Sequence, residues 1–533
     1  MIAQRRPWLL ALRTRAAGGL RGVLRGAAPH ATRPVEPLAG PLGPPAFHPD
    51  HTEGGAPILL PEHWDAAGNT AADARVAHRH GWFAELARRA ANGDTPAGAT
   101  AIAGLEGWLR FDLPGQGAGW THGTDAAVRM VHWAAGLSWL GANVPTALAA
   151  AAAGSAGWHV RHLDVTLPLG RAHGHRRVAH HVGILVAALT FPAIPNARGA
   201  WTEAASALAG ELDALTMGDG SDKGGAPAFL AQSAWLTAIA IAVARANGAA
   251  LPSGATAAWS RAVAFLDRLT GDGRLPALGD APFGEILPVE SPSLPTSLRT
   301  LAVAWGFDAG VPGGGPDPRA RWFGGAVSAV PAAPKGWSVW TFAGDGIAIA
   351  SMPVRGESFR VILAAGAESA GPHRHEAPLQ LLADVGARPL LADPGSGVFA
   401  REAHDGLVLA GFEPRRARLH VARVDGKKAR LEGSATFGRG RKWARDVLLN
   451  QQRLRVTDRL EGFGAAVTLT WTLGADWQIE GSGCAWTLKA GGHTVVVALP
   501  AELAWRHDVR LSCLVGQGVL PRDGEITCSF ELR

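Results

Sequence analysis

The period of the apolar residues changes once along this chain, and it changes at a glycine-proline run. Before Gly310-Val311-Pro312-Gly313-Gly314-Gly315-Pro316 apolar residues recur at three-and-four spacing; beyond it they alternate in short segments. A helix presents one face every 3.6 residues and a strand every second residue, so the two halves must be built from different elements. The 533 residues are enough for two domains that each bury a full core.

Helical spacing runs through residues 73–91, 124–141, 145–163, 175–189, 202–216, 226–247, 256–270 and 293–305. About eight to ten antiparallel helices joined by Gly/Pro loops suit a layered array of helix pairs or a toroid. Strand-like segments cover 337–342, 347–352, 359–363, 443–449, 452–458, 466–473 and 493–499, a β-sandwich signature. The predicted order is a basic arm and extended segment (1–72), an α/α toroid of helix pairs (73–308), a linker (309–320) and an antiparallel β-sandwich (321–533).

The net charge of +6 belongs to the arm, because residues 1–35 hold seven arginines and no acid. In the arm, Trp8-Leu9-Leu10-Ala11-Leu12 is interrupted by Arg13, which is too short for a secretory core. An amphipathic helix with Leu9, Leu12, Leu20 and Leu24 inward, or a membrane-surface anchor, fits the arm. No apolar run reaches the roughly 18–20 residues of a membrane span, which predicts a soluble chain. Cys484, Cys513 and Cys528 follow neither zinc nor disulfide spacing and read as structural thiols.

The densest chemistry lies between Pro372 and Gly406: His373-Arg374-His375-Glu376, then Asp393-Pro394-Gly395, then Arg401 and His404. Imidazole and carboxylate hold zinc where no thiolate does. In a strand His373 and His375 share a face, and a hairpin around Gly386-Ala387-Arg388 would bring Asp393 back beside them. His375, Asp393 and His404 then form a three-ligand set; the alternative is three unrelated surface residues in a chain with 20 histidines. Arg374 and Glu376 either select substrate or form a solvated pair.

In the helical half, His180-His181 opens a leucine-rich helix, with His159, His162, His173 and His175 close in sequence. Such a pair can stabilise an anion or serve as hydrogen-bonded structure; the clustering favours a basic cleft wall.

His-x-His, a strand, Asp-Pro-Gly and Arg-x-x-His resemble the C-terminal domain of the heparinase II/III-like polysaccharide lyases. Trp120, Arg129, Trp133, Trp443, Arg445 and Asp458 extend the resemblance over roughly residues 80–470. It implies an α/α toroid joined to a β-sandwich, with substrate bound in the cleft between them. It also implies one zinc per chain on His375, Asp393 and His404, and an acidic polysaccharide as partner rather than nucleic acid. A cell-envelope or periplasmic setting follows from it, with the cytoplasm as the alternative.

The implied reaction is β-elimination on a 4-linked uronate: neutralise the C6 carboxylate, remove the C5 proton, protonate the departing O4. The resemblance assigns neutralisation to His180 with His181, proton transfer to His373, and substrate contacts to Arg374, Arg129, Trp120 and Asp280. The family completes the set with a tyrosine, and this chain has none. At the matching loop, Asp219-Gly220-Ser221-Asp222 to Leu230, the glycine turn and Pro227 persist, but Phe229 stands where the phenol would be. Two readings follow: a lyase in which histidine replaces phenol, or a non-catalytic polysaccharide-binding or assembly protein on a lyase scaffold.

Overall fold

The computed structural model describes residues 42, 71–112, 114–115, 118–166, 174–271, 274–280, 286–287, 294–307, 322–323, 336–365, 378–393, 407–409, 412 and 414–533. The basic arm, the linker and the stretches carrying His373, Arg374, His375 and His404 lie outside the described residues.

The helices are α1 Ala71–Arg79, α2 Gly81–Ala91, α3 Thr95–Phe111, α4 Gly123–Leu140, α5 Thr146–Thr166, α6 His175–Thr190, α7 Ala197–Leu215, α8 Pro227–Ala246, α9 Ser253–Thr270 and α10 Leu294–Ala304. They form two layers. In the inner row α2, α4, α6, α8 and α10 pack successively, while α3, α5, α7 and α9 back onto them. Burial follows the layers: α4, α6 and α8 are enclosed along nearly their whole length, whereas α7 and α9 bury one stripe. Helix α8 is as long and apolar as a membrane span, which the run-length criterion missed because Gln232, Ser233 and Thr237 interrupt it. Its span-like window is 83% buried, so it serves as an inner helix of the toroid.

Two boundaries differ from the sequence reading. The expected helix over 73–91 is two helices, broken at His80, which takes the left-handed conformation (φ 63°). The ring repays that strain by accepting the Trp133 indole N–H at 2.8 Å and packing edge-on to Trp108. Helix α3 was not expected; it starts at Asp94, whose carboxylate accepts the Ala97 N–H at 3.0 Å, with Pro96 in the first turn.

The strands make three sheets: β1–β5 in that order, an eight-stranded sheet β12-β13-β14-β17-β10-β9-β8-β7, and a four-stranded sheet β15-β16-β11-β6. The first holds β1 Ser338–Phe342, β2 Ile347–Val354, β3 Glu357–Ala364, β4 Gln380–Val385 and β5 Arg388–Leu391. The second holds β7 Pro414–Asp425, β8 Lys428–Phe437, β9 Lys442–Asn450, β10 Arg453–Glu461, β12 Gln478–Ser482, β13 Ala485–Ala490, β14 His493–Ala498 and β17 Gly524–Leu532. The third holds β6 Leu407–Leu409, β11 Ala466–Thr472, β15 Ala504–Asp508 and β16 Cys513–Val519.

The expected hairpin over 379–392 is present as β4 and β5, turning at Gly386-Ala387. The five-stranded sheet is buried on both sides, so β2 and β3 are near-continuous apolar runs rather than the alternating segments expected. Phe342, Ile347, Ile349, Ile362 and Leu382 join the core of the helices, while Ala348, Ala350, Val361, Leu363 and Leu381 join the core of the larger sheet. The junction is tied by Phe265 edge-on to Phe342 at 4.7 Å and by Arg360, which pairs with Asp384 and donates to the Leu269 carbonyl. Cys513 and Cys528 are buried thiols, and burial pushes Cys528 up to about 12.

Candidate functional site

The first turns of α6 carry His175, Arg176, Arg177, His180 and His181. His180 is 5% exposed, and its buried Nδ1 has no hydrogen-bond partner among the described residues. Its Nε2 and Cε1 lie over Gly123, where an added Cβ would stand 2.7 and 2.6 Å away, and Thr166 closes the same spot. Only glycine leaves room for the ring at the start of α4. His181, also 5% exposed, buries an Nε2 with no partner among the described residues.

Burial, reinforced by His181, His162, Arg176 and Arg177, drives His180 down to about 4; burial and Arg177 do the same to His181. Both rings are therefore neutral at pH 7. The positive charge of the expected basic wall comes from arginines, while the imidazoles supply hydrogen-bonding atoms that a carboxylate could recharge. Arg177 is bound to Glu211 at 2.7 Å, and Arg75 and Arg79 share the buried carboxylate of Asp125 at 2.7 Å each. His122, at the entrance to α4, is held down by burial and by Arg75.

Beneath this lies a fully enclosed cluster. Arg129 is 0% exposed; it donates from Nε to His159 Nε2 at 2.8 Å, from Nη1 to the His78 carbonyl at 2.5 Å and from Nη2 to the Gly119 carbonyl at 3.0 Å. His159 completes the chain through Nδ1 to the Ser155 carbonyl at 2.8 Å, which fixes its neutral Nδ1–H tautomer. The guanidinium sits 4.6 Å from the Trp108 ring and 5.5 Å from Trp120.

The expected substrate contacts Arg129 and Trp120 both lie in this cluster. Every nitrogen of Arg129 is engaged inside the core, and Trp120 is 4% exposed. His159 likewise belongs to the core. His162 lies nearer the surface, edge-on to Trp120 at 5.4 Å.

One acid in this cluster was missed at the sequence level. Asp112, at the end of α3, is 2% exposed, its carboxylate enclosed beside Arg129 and the Trp120 N–H. Burial pushes it up to about 6 against the opposing pull of Arg129 and the Trp120 N–H. Its Oδ2 is 2.3 Å from where a Cβ on Gly119 would be, so that glycine too is fixed by close approach. The spacing of an isolated Asp past an Ala/Gly-rich segment gave no cue.

Phe229 opens α8 and stacks on His175, with ring centroids 4.0 Å apart and planes at 21°. The loop before it is held by Asp222, which accepts the Gly224 and Ala226 N–H groups at 3.0 and 2.7 Å. Asp219 reaches the sandwich through the Gly344 N–H at 3.3 Å. Asp280 is half-buried in the segment 274–280, just after Gly279 at φ 70°.

On the sandwich side, Asp393 follows β5 and accepts a hydrogen bond from the Gln380 side-chain amide at the start of β4. Leu379, adjoining Gln380, is fully buried with φ 56°, and its carbonyl accepts from Arg445 Nη1 at 2.8 Å. Arg445 in turn is locked to Asp458, whose carboxylate also takes the Trp443 N–H at 2.7 Å. That buried triad anchors the chain where it leaves the His373–His375 stretch. Among the described residues no group of three or more His, Cys, Asp or Glu is arranged to hold a metal; His375 and His404 lie outside them.

No protein-family model matches the chain, and no curated protein matches it by sequence. Solved structures do match in fold. Heparinase III aligns at TM-score 0.65 and 14% identity over 91% of this chain and 82% of its own. A heparan sulfate lyase HepC mutant from Pedobacter heparinus aligns at 0.61 and 13%, covering 89% and 79%. A chondroitin AC lyase mutant from Streptomyces coelicolor A3 aligns at 0.50 and 12%, covering 88% and 78%. The likeness is one of fold: a helical toroid and a β-sandwich arranged as in these polysaccharide lyases.

Proposed function

We propose that this chain is a polysaccharide lyase-like enzyme that opens acidic, uronate-containing polysaccharide by β-elimination. The observation that carries the reading is His180: a nearly buried, neutral ring with a nitrogen unpartnered among the described residues, set among His162, His181, Arg176 and Arg177. A uronate C6 carboxylate entering there meets hydrogen-bond donors and cationic surroundings, and its charge would draw a proton onto the imidazole. With the carboxylate neutralised the C5 proton becomes acidic. His373 removes it, the C5–H electron pair forms the C4=C5 bond, and the C4–O4 bond breaks onto oxygen. The departing O4 takes a proton from a histidine, since Phe229 carries none to give.

Zinc belongs to the same proposal, held by His375, Asp393 and His404. The Gln380 amide on Asp393 is the kind of second partner that orients a ligating carboxylate. The ion's contribution there is to pin sandwich segments together. Metal analysis of the purified protein should give one zinc per chain, and none in His375→Ala; full occupancy in that variant removes the assignment.

A second reading, a non-catalytic binder of acidic polysaccharide, is favoured by the stacking of Phe229 on His175 where the related enzymes carry a phenol. One assay separates the two: ultraviolet absorbance of the unsaturated uronate product over a panel of acidic polysaccharides. Product from the native chain and a loss of at least a hundred-fold in His180→Ala supports elimination. Product only from Phe229→Tyr identifies a scaffold that has lost its acid, and silence from both with tight polymer binding favours the binder.

A further inference from the structure

We propose that the outward face of the eight-stranded sheet, at its β7–β10 end, is a second binding surface for acidic polysaccharide, distinct from the site on α6. The ligand class rests on the reading of that site; the surface itself stands on its own geometry. Residues 414–459 hold fourteen Lys/Arg against four Asp/Glu, whereas the rest of the chain beyond residue 35 holds thirty against forty-one. The four strands are thus a cationic island on an otherwise acidic body.

Register puts these charges on one side. The inner face of the sheet, with Leu431, Trp443, Val447, Leu454 and Val456, packs in the core shared with β1–β5. Residues that alternate with these point to solvent: Lys428 and Arg430 on β8, Lys442 on β9, and Arg453, Arg455 and Arg459 on β10. On β7 a bulge between Leu419 and Val421 shifts the parity. Arg416 and Arg418 pair with Thr436 and Ser434 before it, and Arg423 pairs with Arg430 after it, so even- and odd-numbered arginines share the outward face. His420, in the bulge, reaches Ser434 Oγ at 2.6 Å on that side. An unbulged strand would turn Arg423 toward the core.

Two features separate this surface from ordinary protection of a sheet edge. The charges continue onto β9 and β10, which are interior strands with neighbours on both sides. Arg423 and Arg430 face each other directly across the ladder, an arrangement that costs stability unless an anion is shared. Arg430 is offset by Asp446 at 2.8 Å and Glu432 at 3.2 Å, but Arg423, Lys428, Lys442 and Arg455 make no ion pair among the described residues.

The outward positions of β8, β9 and β10 include no aromatic side chain and only Leu448 as a large apolar one. A platform for stacked bases is therefore missing, and so is an apolar anchor for a lipid surface. Spaced cations without rings suit a polymer recognised by repeated carboxylate or sulfate groups. Such a surface would hold a long chain to the protein while another stretch of it occupies the α6 site, raising its effective concentration there.

The test uses the full chain, heparin and polygalacturonate as probes, and the triple variant Arg423→Ser/Lys428→Ser/Arg455→Ser, alongside His180→Ala. The triple variant should keep the native melting temperature, bind both polymers at least ten-fold more weakly, and show a flatter dependence of affinity on salt. His180→Ala should bind long polymer almost as the native chain does. If neither polymer is cleaved yet the triple variant still loses binding, the reading of the α6 site fails and the surface stands. Unchanged affinity and salt dependence in the triple variant overturn the surface. Equal or tighter binding of a DNA duplex, or of anionic vesicles, through the same three residues overturns the polysaccharide assignment.

Discussion

Arg129 in the toroid and Arg445 in the sandwich are both 0% exposed, and both lie between two indole rings. Both donate to backbone carbonyls: His78 in the last turn of α1 and Gly119 in a 3-10 turn for the first, Leu379 just before β4 for the second. They differ in how their charge is met. Arg445 is gripped by both oxygens of Asp458 at 2.8 Å, so the pair is neutral as a unit. Arg129 bonds an imidazole and two carbonyls but no carboxylate. Burial brings it down to about 10, and its charge is felt by His80 and His159, whose rings burial holds well below the usual range. A paired buried cation builds inert structure, whereas an unpaired one polarises everything near it. The candidate site lies above the second kind.

The largest break in this comparison is Asp458→Asn. It keeps the shape of the side chain but leaves Arg445 charged and enclosed, which costs about 3–5 kcal/mol. Chemical unfolding should show the loss in the sandwich transition, with little change in the toroid.

Asp112→Asn probes the unpaired side and should have the opposite sign. The folded carboxyl titrates at about 6, above its unfolded value of 3.8, so the folded state binds the proton more tightly. Its contribution is full below about pH 4, declines as pH rises to about 6, and is flat beyond. The amide removes that decline: the variant should be more stable by about 2–3 kcal/mol at pH 8 and unchanged near pH 4, on a scale of roughly 1.4 kcal/mol per pH unit. A stability difference between Asp112→Asn and the native chain that is the same at pH 4 and pH 8 refutes the assignment, since the buried histidines titrate alike in both.

How much of this was legible in the sequence depended on what decided each element. Helices α4, α6 and α8 and strands β2–β4 announced themselves because apolar burial dictates both their residues and their conformation. Helix α3 did not, because Gly98, Gly104 and Gly107 dilute its apolar spacing; Gly98 is there for close packing, an added Cβ standing 3.1 Å from that of Ala90. The break at His80 is set by an indole fifty-three residues away, which no local pattern reports. Hairpin β7–β8 was hidden because its bulge scrambles the alternation of arginines. At the site, the His180-His181 pair and Phe229 were visible as residue types, but the neutrality of the histidines and the inward turn of Arg129 are properties of burial and of partners distant in sequence.

Arg459 is the residue after Asp458, and it supplies the smallest and most discriminating prediction. It pairs with Glu525 at 3.0 Å, a distance close to that of the Arg445–Asp458 contact one position earlier. Yet Arg459 and Glu525 are about half exposed, so water and salt already compensate either charge when the other is removed. Arg459→Gln should therefore change stability by less than about 0.5 kcal/mol, and by less still at high salt. Adjacent residues on one strand, with near-equal contact distances, would then differ several-fold in effect. If Arg459→Gln proved as damaging as Asp458→Asn, strand identity rather than burial would govern this sheet, and the contrast between Arg129 and Arg445 would lose its physical basis.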